Sequence, residues 1–359
     1  MNPRDPIPAP VVTYAYTDPP PPGVAREVAP GVHWVRMPLP FALEHINLWL
    51  LEDGPGWTIV DCGYGTAQTK SHWDRLFETT LAGRPVRRIL VTHFHPDHFG
   101  LAEWLAARTG APVHITVAEF ESAHAWFSGL PGYTREAFFE LYHEHGLEPV
   151  DDMGDFLRGN LYQKGVPGVP ERCTRLADGE RFAIGRREWR VVTGHGHSPD
   201  HAALHCEALD VLISGDMVLP RISTNVSVQP THPDADPLRE FLDSLVRYAA
   251  LDRDTLVLPS HGLPFRGLAA RAAALRAHHD ARLDELRRAC AGPQHAAALM
   301  PLLFPRRLDL HQTFFAMGET LSHLQYLVHS GELRHFRAGE RSFFVAPDAP
   351  ALPQTPTGR

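Results

Sequence analysis

The chain has few lysines, few cysteines and no long apolar run, and each shortage excludes something. Lys70 and Lys164 are its only lysines, so the positive charge is almost entirely guanidinium, and the net charge of −8 argues against a surface built throughout for nucleic acid. Four cysteines, Cys62, Cys173, Cys206 and Cys290, are scattered without a CxxC pair. That excludes a disulfide framework and a cysteine zinc cage. No apolar run approaches the roughly 20 residues that cross a bilayer. The opening MNPRDPIPAPVVTYAYTDPPPPG has neither a basic n-region nor an apolar h-region, so no secretory signal is read and a cytoplasmic location is expected. GxSxG, HExxH, P-loop and GxGxxG patterns are missing too, which leaves serine-hydrolase, zincin and nucleotide-cofactor chemistry without support.

What the 359 residues do have is an ordinary globular composition, 43% hydrophobic and 21% charged, enough to bury one large core or two. Residues 1–30 are expected to form an extended surface arm, because the PPPP run at 19–22 cannot donate backbone hydrogen bonds. From residue 31, short apolar stretches bounded by turn residues read as strands, and 66–83 and 99–110 show helical spacing closed by glycine. Residues 117–165 break this rhythm with helix-like segments rich in aromatics, Trp126, Phe138 and Phe139 among them, and are read as a helical insertion. The expectation for 31–265 is an α/β fold with two sheets between helical layers. Residues 266–359 carry 12 arginines against 8 acids and read as three helices and a hairpin, a small winged-helix domain.

Chemistry concentrates in the 23 histidines. LVTHFHPDHFG at 90–100 follows a strand and offers His93, His95, Asp97 and His98. In extended chain alternate side chains share a face, so His93 and His95 can point at one ion while Asp97 and His98 reach a second as the chain turns into a helix. Three further strands end in the same residue types. TGHGHSPDH (193–201) supplies His195, His197 and His201, LISGDMV (212–218) supplies Asp216, and VLPSHG (257–262) supplies His261. A lone histidine is more often structural, and a lone Asp before a turn is more often a cap. Four strand ends of one chemical type reverse that balance and favour a metal centre, with zinc, iron or manganese suited to imidazole and carboxylate.

HFHPDH matches the HxHxDH signature of the metallo-β-lactamase superfamily. GHSPDH, SGD and SHG follow in that superfamily's order and approximate spacing, and TIVDCG upstream resembles its strand ending in Asp, here Asp61. Over residues 28–265 the chain resembles this family, which implies an αββα sandwich with a dinuclear site where the strands end. By resemblance, His93, His95 and His197 would hold one ion, Asp97, His98 and His261 the other, and Asp216 would bridge them. Asp61 would steady a ligand imidazole or its loop. His197 is preferred to His195 and His201 because GHSPDH resembles the family's GHTPGH, whose first His is the ligand; Asp200 departs from the Gly often found there. Two divalent ions, zinc foremost, would ionise a shared water, and the bridging hydroxide would attack carbon or phosphorus. Asp97 would orient that nucleophile or shuttle its proton.

Asp216 disfavours a true β-lactamase, since members that open β-lactams generally lack a bridging carboxylate there, whereas thioesterases, lactonases and nucleases have it. The tail, especially GETLSHLQYLVHSGELRH, looks like the winged helix of a branch that holds both thioester hydrolases and endoribonucleases. Its helix, expected at Phe315–Ser330, carries Glu319, His323, Gln325 and His329 but no Arg or Lys. Only Arg334, Arg337 and Arg341 lie in the wing, a thin footprint for phosphates, so packing on the catalytic domain or a homodimer contact is favoured over nucleic acid. The expected activity is hydrolysis of a thioester, carboxylic ester or lactone, acting on a small acyl substrate. A metal-dependent endoribonuclease or phosphodiesterase is the runner-up, and a regulatory winged-helix protein with a vestigial metal site a third. Arg221, on the loop after Asp216, is a candidate anchor for a substrate carboxylate or phosphate.

Overall fold

The computed structural model describes residues 12–349. A short strand β1 (Thr13–Tyr14) precedes β2 (Ala25–Ala29), β3 (Val32–Pro38), β4 (His45–Asp53), β5 (Gly56–Val60), β6 (Val86–Leu90), β7 (Val113–Ile115) and β8 (Thr174–Arg175). Strands β2 to β8 lie side by side in chain order as one sheet, antiparallel up to β5 and parallel beyond it. Helix α1 (Ala67–Glu78) connects β5 to β6, and α2 (Pro96–Phe99) and α3 (Ala102–Thr109) connect β6 to β7. The stretch expected as a helical insertion holds α4 (Val117–Ser128), α5 (Arg135–Glu144), α6 (Met153–Leu157) and α7 (Tyr162–Gly165).

The second sheet comprises β9 (Arg181–Ile184), β10 (Arg187–Gly194), β11 (His201–Cys206), β12 (Val211–Gly215), β13 (Leu256–Pro259) and β14 (Phe265–Arg266), with β1 on its edge beside β14. Helix α8 (Pro237–Ala249) crosses over between the parallel neighbours β12 and β13.

Period-two alternation explains the layering. On β3 and β4, Trp34, Trp49 and Leu51 pack between the sheets against Val191, Leu204, Ile213 and Leu258. Their neighbours Val35, Met37, Leu48 and Leu50 face the other way, onto Trp73 and Leu76 of α1 and Leu105 of α3. The outer face of the second sheet, with Val192, Leu212 and Val257, is covered by Phe241 and Leu245 of α8. Each fully buried side chain of this size contributes roughly 1.5–3 kcal/mol, and the result is the expected αββα sandwich.

Three helices, α9 (Leu268–Ala289), α10 (Ala296–Leu303) and α11 (Leu310–His329), and the hairpin β15 (Arg334–Ala338) and β16 (Arg341–Val345) complete the described residues. Leu275, Leu286, Leu299, Leu321 and Phe344 extend the buried cluster of α8 and the second sheet. Helix α11 starts earlier than the expected Phe315, because Asp309 and Gln312 form a reciprocal capping box. It is buried at Ala316, Met317 and Gly318 and again from Thr320 to Gln325, so burial runs round the helix rather than along one stripe.

The expected arm needs correcting within the described residues. Ala25–Ala29 forms β2, paired with β3 from Ala25 opposite Val35 to Ala29 opposite Val32. A half-buried edge strand reading AREVA has little apolar signal, and its partner supplies the hydrogen bonds. Residues 1–11 of the arm lie outside the described residues.

Candidate metal centre

The chain leaves β5, β6, β10, β12 and β13 at one end of the sandwich, and the following residues converge there. His93 Nε2 lies 2.9 Å from His95 Nδ1 and 3.2 Å from His197 Nε2. Beside this trio, His261 Nε2 stands 3.4 Å from Asp97 Oδ2, and His98 Nε2 stands 3.7 Å from the same oxygen. Asp216 lies between the two groups. Its Oδ2 is 3.5 Å from His197 Nε2, whereas its Oδ1 is 3.5 Å from His98 Nε2 and 3.4 Å from His261 Nε2. The structure therefore brings His93, His95, Asp97, His98, His197, Asp216 and His261 together, remote as they are in sequence.

Proton positions follow from the partners. His98 Nδ1 donates to Asp61 Oδ2 at 2.8 Å, His197 Nδ1 to the Asn225 carbonyl at 2.8 Å, and His261 Nδ1 to the His45 carbonyl at 2.9 Å. Carbonyls and carboxylates only accept, so Nδ1 carries a proton in each ring, and Nε2, aimed at the cluster, is the atom that gives up its proton to a cation. Asp61, in a left-handed backbone conformation at φ 62°, also accepts from the Thr92 main chain at 2.8 Å and from the Thr92 hydroxyl. It thereby ties the loop after β6 to the end of β5.

A cation fits this arrangement. His98 Nε2 and Asp216 Oδ1 are buried without a hydrogen-bond partner, a costly state for polar atoms unless something else satisfies them. Zinc bonds of about 2.0–2.1 Å place the ligand atoms of a tetrahedron about 3.3–3.4 Å apart, close to the separations seen. Electrostatics divides the cluster in two. Burial and the neighbouring imidazoles hold His93 well below the ordinary histidine range and His95 down to about 3. For His261, burial opposes protonation, but Asp216 and Asp97 outweigh it and push the value up to about 10. The carboxylate half therefore draws positive charge, and the imidazole half offers neutral donors.

Residues 42–261 match the model of the Metallo-beta-lactamase superfamily, and residues 283–343 match that of the Metallo-beta-lactamase-like, C-terminal domain. The chain belongs to the metallo-beta-lactamase superfamily. It is a metal-dependent hydrolase of that group. A crystal structure of a beta-lactamase domain protein from Burkholderia ambifaria is 49% identical, covering 93% of this chain and 98% of its own, with a TM-score of 0.86. The probable metallo-hydrolase YqjP of Bacillus subtilis is 25% identical over 86% of this chain and 96% of its own length. An atrochrysone carboxyl ACP thioesterase of Aspergillus fumigatus is 25% identical over 64% of this chain but only 40% of its own length.

Against this metallo-beta-lactamase frame, the other sequence candidates sort by position. His195 binds the Pro199 carbonyl at 2.9 Å with its side chain 39% exposed. His201 lies buried behind His93, and its Nε2 accepts from the Asp216 main chain at 3.2 Å. Neither joins the groups that could hold an ion. Arg221 is exposed, and among the described residues no hydrogen bond or ion pair joins it to the cluster.

One residue that sequence reasoning missed is Glu119 of α4. Fully buried, it accepts from the Phe94 main chain at 3.0 Å, the Ser198 hydroxyl at 2.6 Å and the Asp200 main chain at 2.7 Å. It fastens the loops carrying His93 to His98 and His197 to each other. Asn47 does the same for the His261 loop, accepting from Trp34 and donating to the carbonyls of Pro259 and Gly262.

The insertion divides its aromatics. Trp126 stacks toward Phe94, the residue between His93 and His95, at 6.5 Å and 14° between planes. Phe139 turns away onto His143.

Proposed function

We propose that the protein hydrolyses a thioester or other carboxylic ester, lactones included, with His93, His95 and His197 holding one divalent ion, Asp97, His98 and His261 the second, and Asp216 joining them. When bound, two such ions, zinc foremost, lower the pKa of water and stabilise the oxyanion that develops on the acyl group. Asp61 and the Asn225 and His45 carbonyls fix the imidazoles in the tautomer that presents Nε2. Asp97 is the more exposed carboxylate, 19% against 12% for Asp216, and is the group assigned to pass a proton to the leaving atom. Phe94 and Trp126 exclude water from one side and receive an apolar acyl portion.

The observation that carries this reading is the apolar wall that begins at Phe94, between two metal-type histidines. A polyanionic substrate calls for positive charge there. The resemblance to an ACP thioesterase supports the same choice. Against the endoribonuclease alternative stands α11, which has no Arg or Lys and is buried round its circumference. The test is a hydrolysis screen of acyl-thioesters, lactones, phosphodiesters and RNA on protein of measured metal content. Turnover of thioesters or lactones is expected; brisk cleavage of RNA with the acyl compounds untouched would reverse the assignment.

A further inference from the structure

Two runs of aromatic rings lead away from the metal cluster. One passes from His95 to Phe94, Trp126 and Phe138, with successive ring centres 4.6, 6.5 and 5.7 Å apart. The other begins at Tyr64, which meets Pro96, the neighbour of Asp97, over Gly165, where an added Cβ would fall 2.2 Å from Tyr64 Cε2 and 2.7 Å from Pro96 Cβ; it continues to Phe41 at 5.1 Å and then to His311 of α11 at 6.4 Å. Phe41 is 45% exposed, so this run opens to solvent. Arg135 of α5 sits beside the helices that these runs reach, with the Phe156 ring between it and α11. It lies in the first turn of α5, three residues before Phe138, a spacing that puts both side chains on one helix face. The Phe156 ring on which its guanidinium lies is 4.9 Å from Phe314 of α11, three residues after His311.

The surroundings of this guanidinium are incomplete. Its Cζ lies 4.4 Å from the centre of the Phe156 ring, and Nη2 donates to the Arg158 carbonyl at 3.0 Å. Nε is buried with no hydrogen-bond partner, and among the described residues no carboxylate forms an ion pair with the group. Arginine offers a planar fork of donors that matches the oxygens of carboxylate or phosphate. Stacking on Phe156 holds that fork in one orientation before any ligand arrives.

We propose that Arg135 binds an anionic oxygen group, carboxylate or phosphate, at the end of the substrate remote from the bond that is cut, with the aromatic runs holding the uncharged stretch between. This rests on the acyl-hydrolase reading above and adds a charged far end to its substrate class. Arg221 is not needed for that role.

Four thioesters test it on the full-length, metal-loaded protein. Undecanoyl and dodecanedioyl thioesters of N-acetylcysteamine differ by a carboxylate on an acyl end long enough to follow the aromatic runs. Butyryl thioesters of pantetheine and 4′-phosphopantetheine differ by a phosphate on the leaving end. Arg135→Gln removes the charge and keeps a planar polar end on an unbranched stem. In this variant KM for one anionic compound is expected to rise about tenfold or more, while that of its neutral partner stays within about twofold. Calorimetric titration with non-cleavable amide analogues of the two anionic compounds makes the same comparison without turnover. Equal changes for charged and neutral compounds, or no change for any, overturn the anchor. If the wild type cleaves none of the four while an anionic analogue still loses affinity in the variant, the hydrolase reading fails and the anion site stands.

Discussion

The main-chain carbonyl of Asn225 takes the Nδ1 proton of His197 at 2.8 Å. The side chain of the same asparagine is held by Ser227 at 2.8 Å and by Glu319 of α11 at 3.3 Å. Gly318, next to Glu319, leaves no room for a Cβ, which would fall 2.5 Å from Ser227 Oγ and 2.8 Å from the Tyr142 hydroxyl. A helix near the end of the chain thus sets the aim of an imidazole at the cluster. Groups that orient a metal ligand typically matter by about 10–100-fold in metal affinity. Glu319→Ala is therefore expected to weaken the ion at His93, His95 and His197 by that order in a chelator competition, with the other ion little changed. Glu319→Gln, which keeps an accepting oxygen, should restore most of the affinity; equal affinities in all three proteins would contradict the coupling.

Asp61 should separate backbone from charge. Asn tolerates its left-handed conformation, so Asp61→Asn keeps the turn but gives up a carboxylate facing His98 and Thr92, a loss of about 1–3 kcal/mol. Asp61→Ala adds strain and leaves those donors unpaired, for about 3–5 kcal/mol. Urea unfolding of both variants reads the difference, and an alanine variant as stable as the asparagine one would refute it.

Glu119 is expected to act as a fastener. Glu119→Ala frees three donors in two loops and should cost about 2–4 kcal/mol of stability, and it should also weaken the ion held by His197 and His93. Glu119→Gln turns an NH2 group toward one of those donors and should cost less. An alanine variant with wild-type melting temperature and metal affinity would show the loops are held by other means.

How much of this was legible depended on whether a signal was local. His93, His95, Asp97 and His98 fall within six consecutive residues, and Asp216 and His261 each close a short apolar strand, so residue type and spacing sufficed. The segments of β3 and β4, short apolar stretches bounded by turn residues, likewise read as strands from the sequence. Glu119 gave no such warning: an acid in VAEFESAHAWF reads as a solvated helix face, and its partners Phe94, Ser198 and Asp200 are distant in the chain. Strand β2 was hidden because AREVA gains its stability from β3 rather than from its own apolar residues. His197 is preferred to His195 and His201 in the sequence only through the resemblance of GHSPDH to GHTPGH, because spacing alone does not show which ring turns toward His93 and Asp216.

A buried histidine pair makes stability depend on pH. His279 Nδ1 lies 3.0 Å from His323 Nε2, and His323 Nδ1 donates to the Glu319 carbonyl at 2.7 Å. Burial holds His323 down to about 4 and His279 well below the ordinary value of 6.5. Between pH 6.5 and about 4 the unfolded chain takes up protons that the folded one refuses, so stability falls as pH is lowered through that window and is fully present above it. Each group contributes a slope of up to about 1.4 kcal/mol per pH unit. Denaturation of metal-free protein at pH 7.5 and 5 should show the loss, and His323→Gln should reduce it; an identical pH slope in the variant would clear the pair of this role.

Metal content is the most direct measurement. Protein saturated with zinc and freed of excess should carry two ions per chain by elemental analysis, and Asp216→Ala, which deletes the carboxylate shared between the two groups of histidines, should retain fewer. One ion or none in the wild type, or two ions undiminished in Asp216→Ala, would contradict the paired-cation centre.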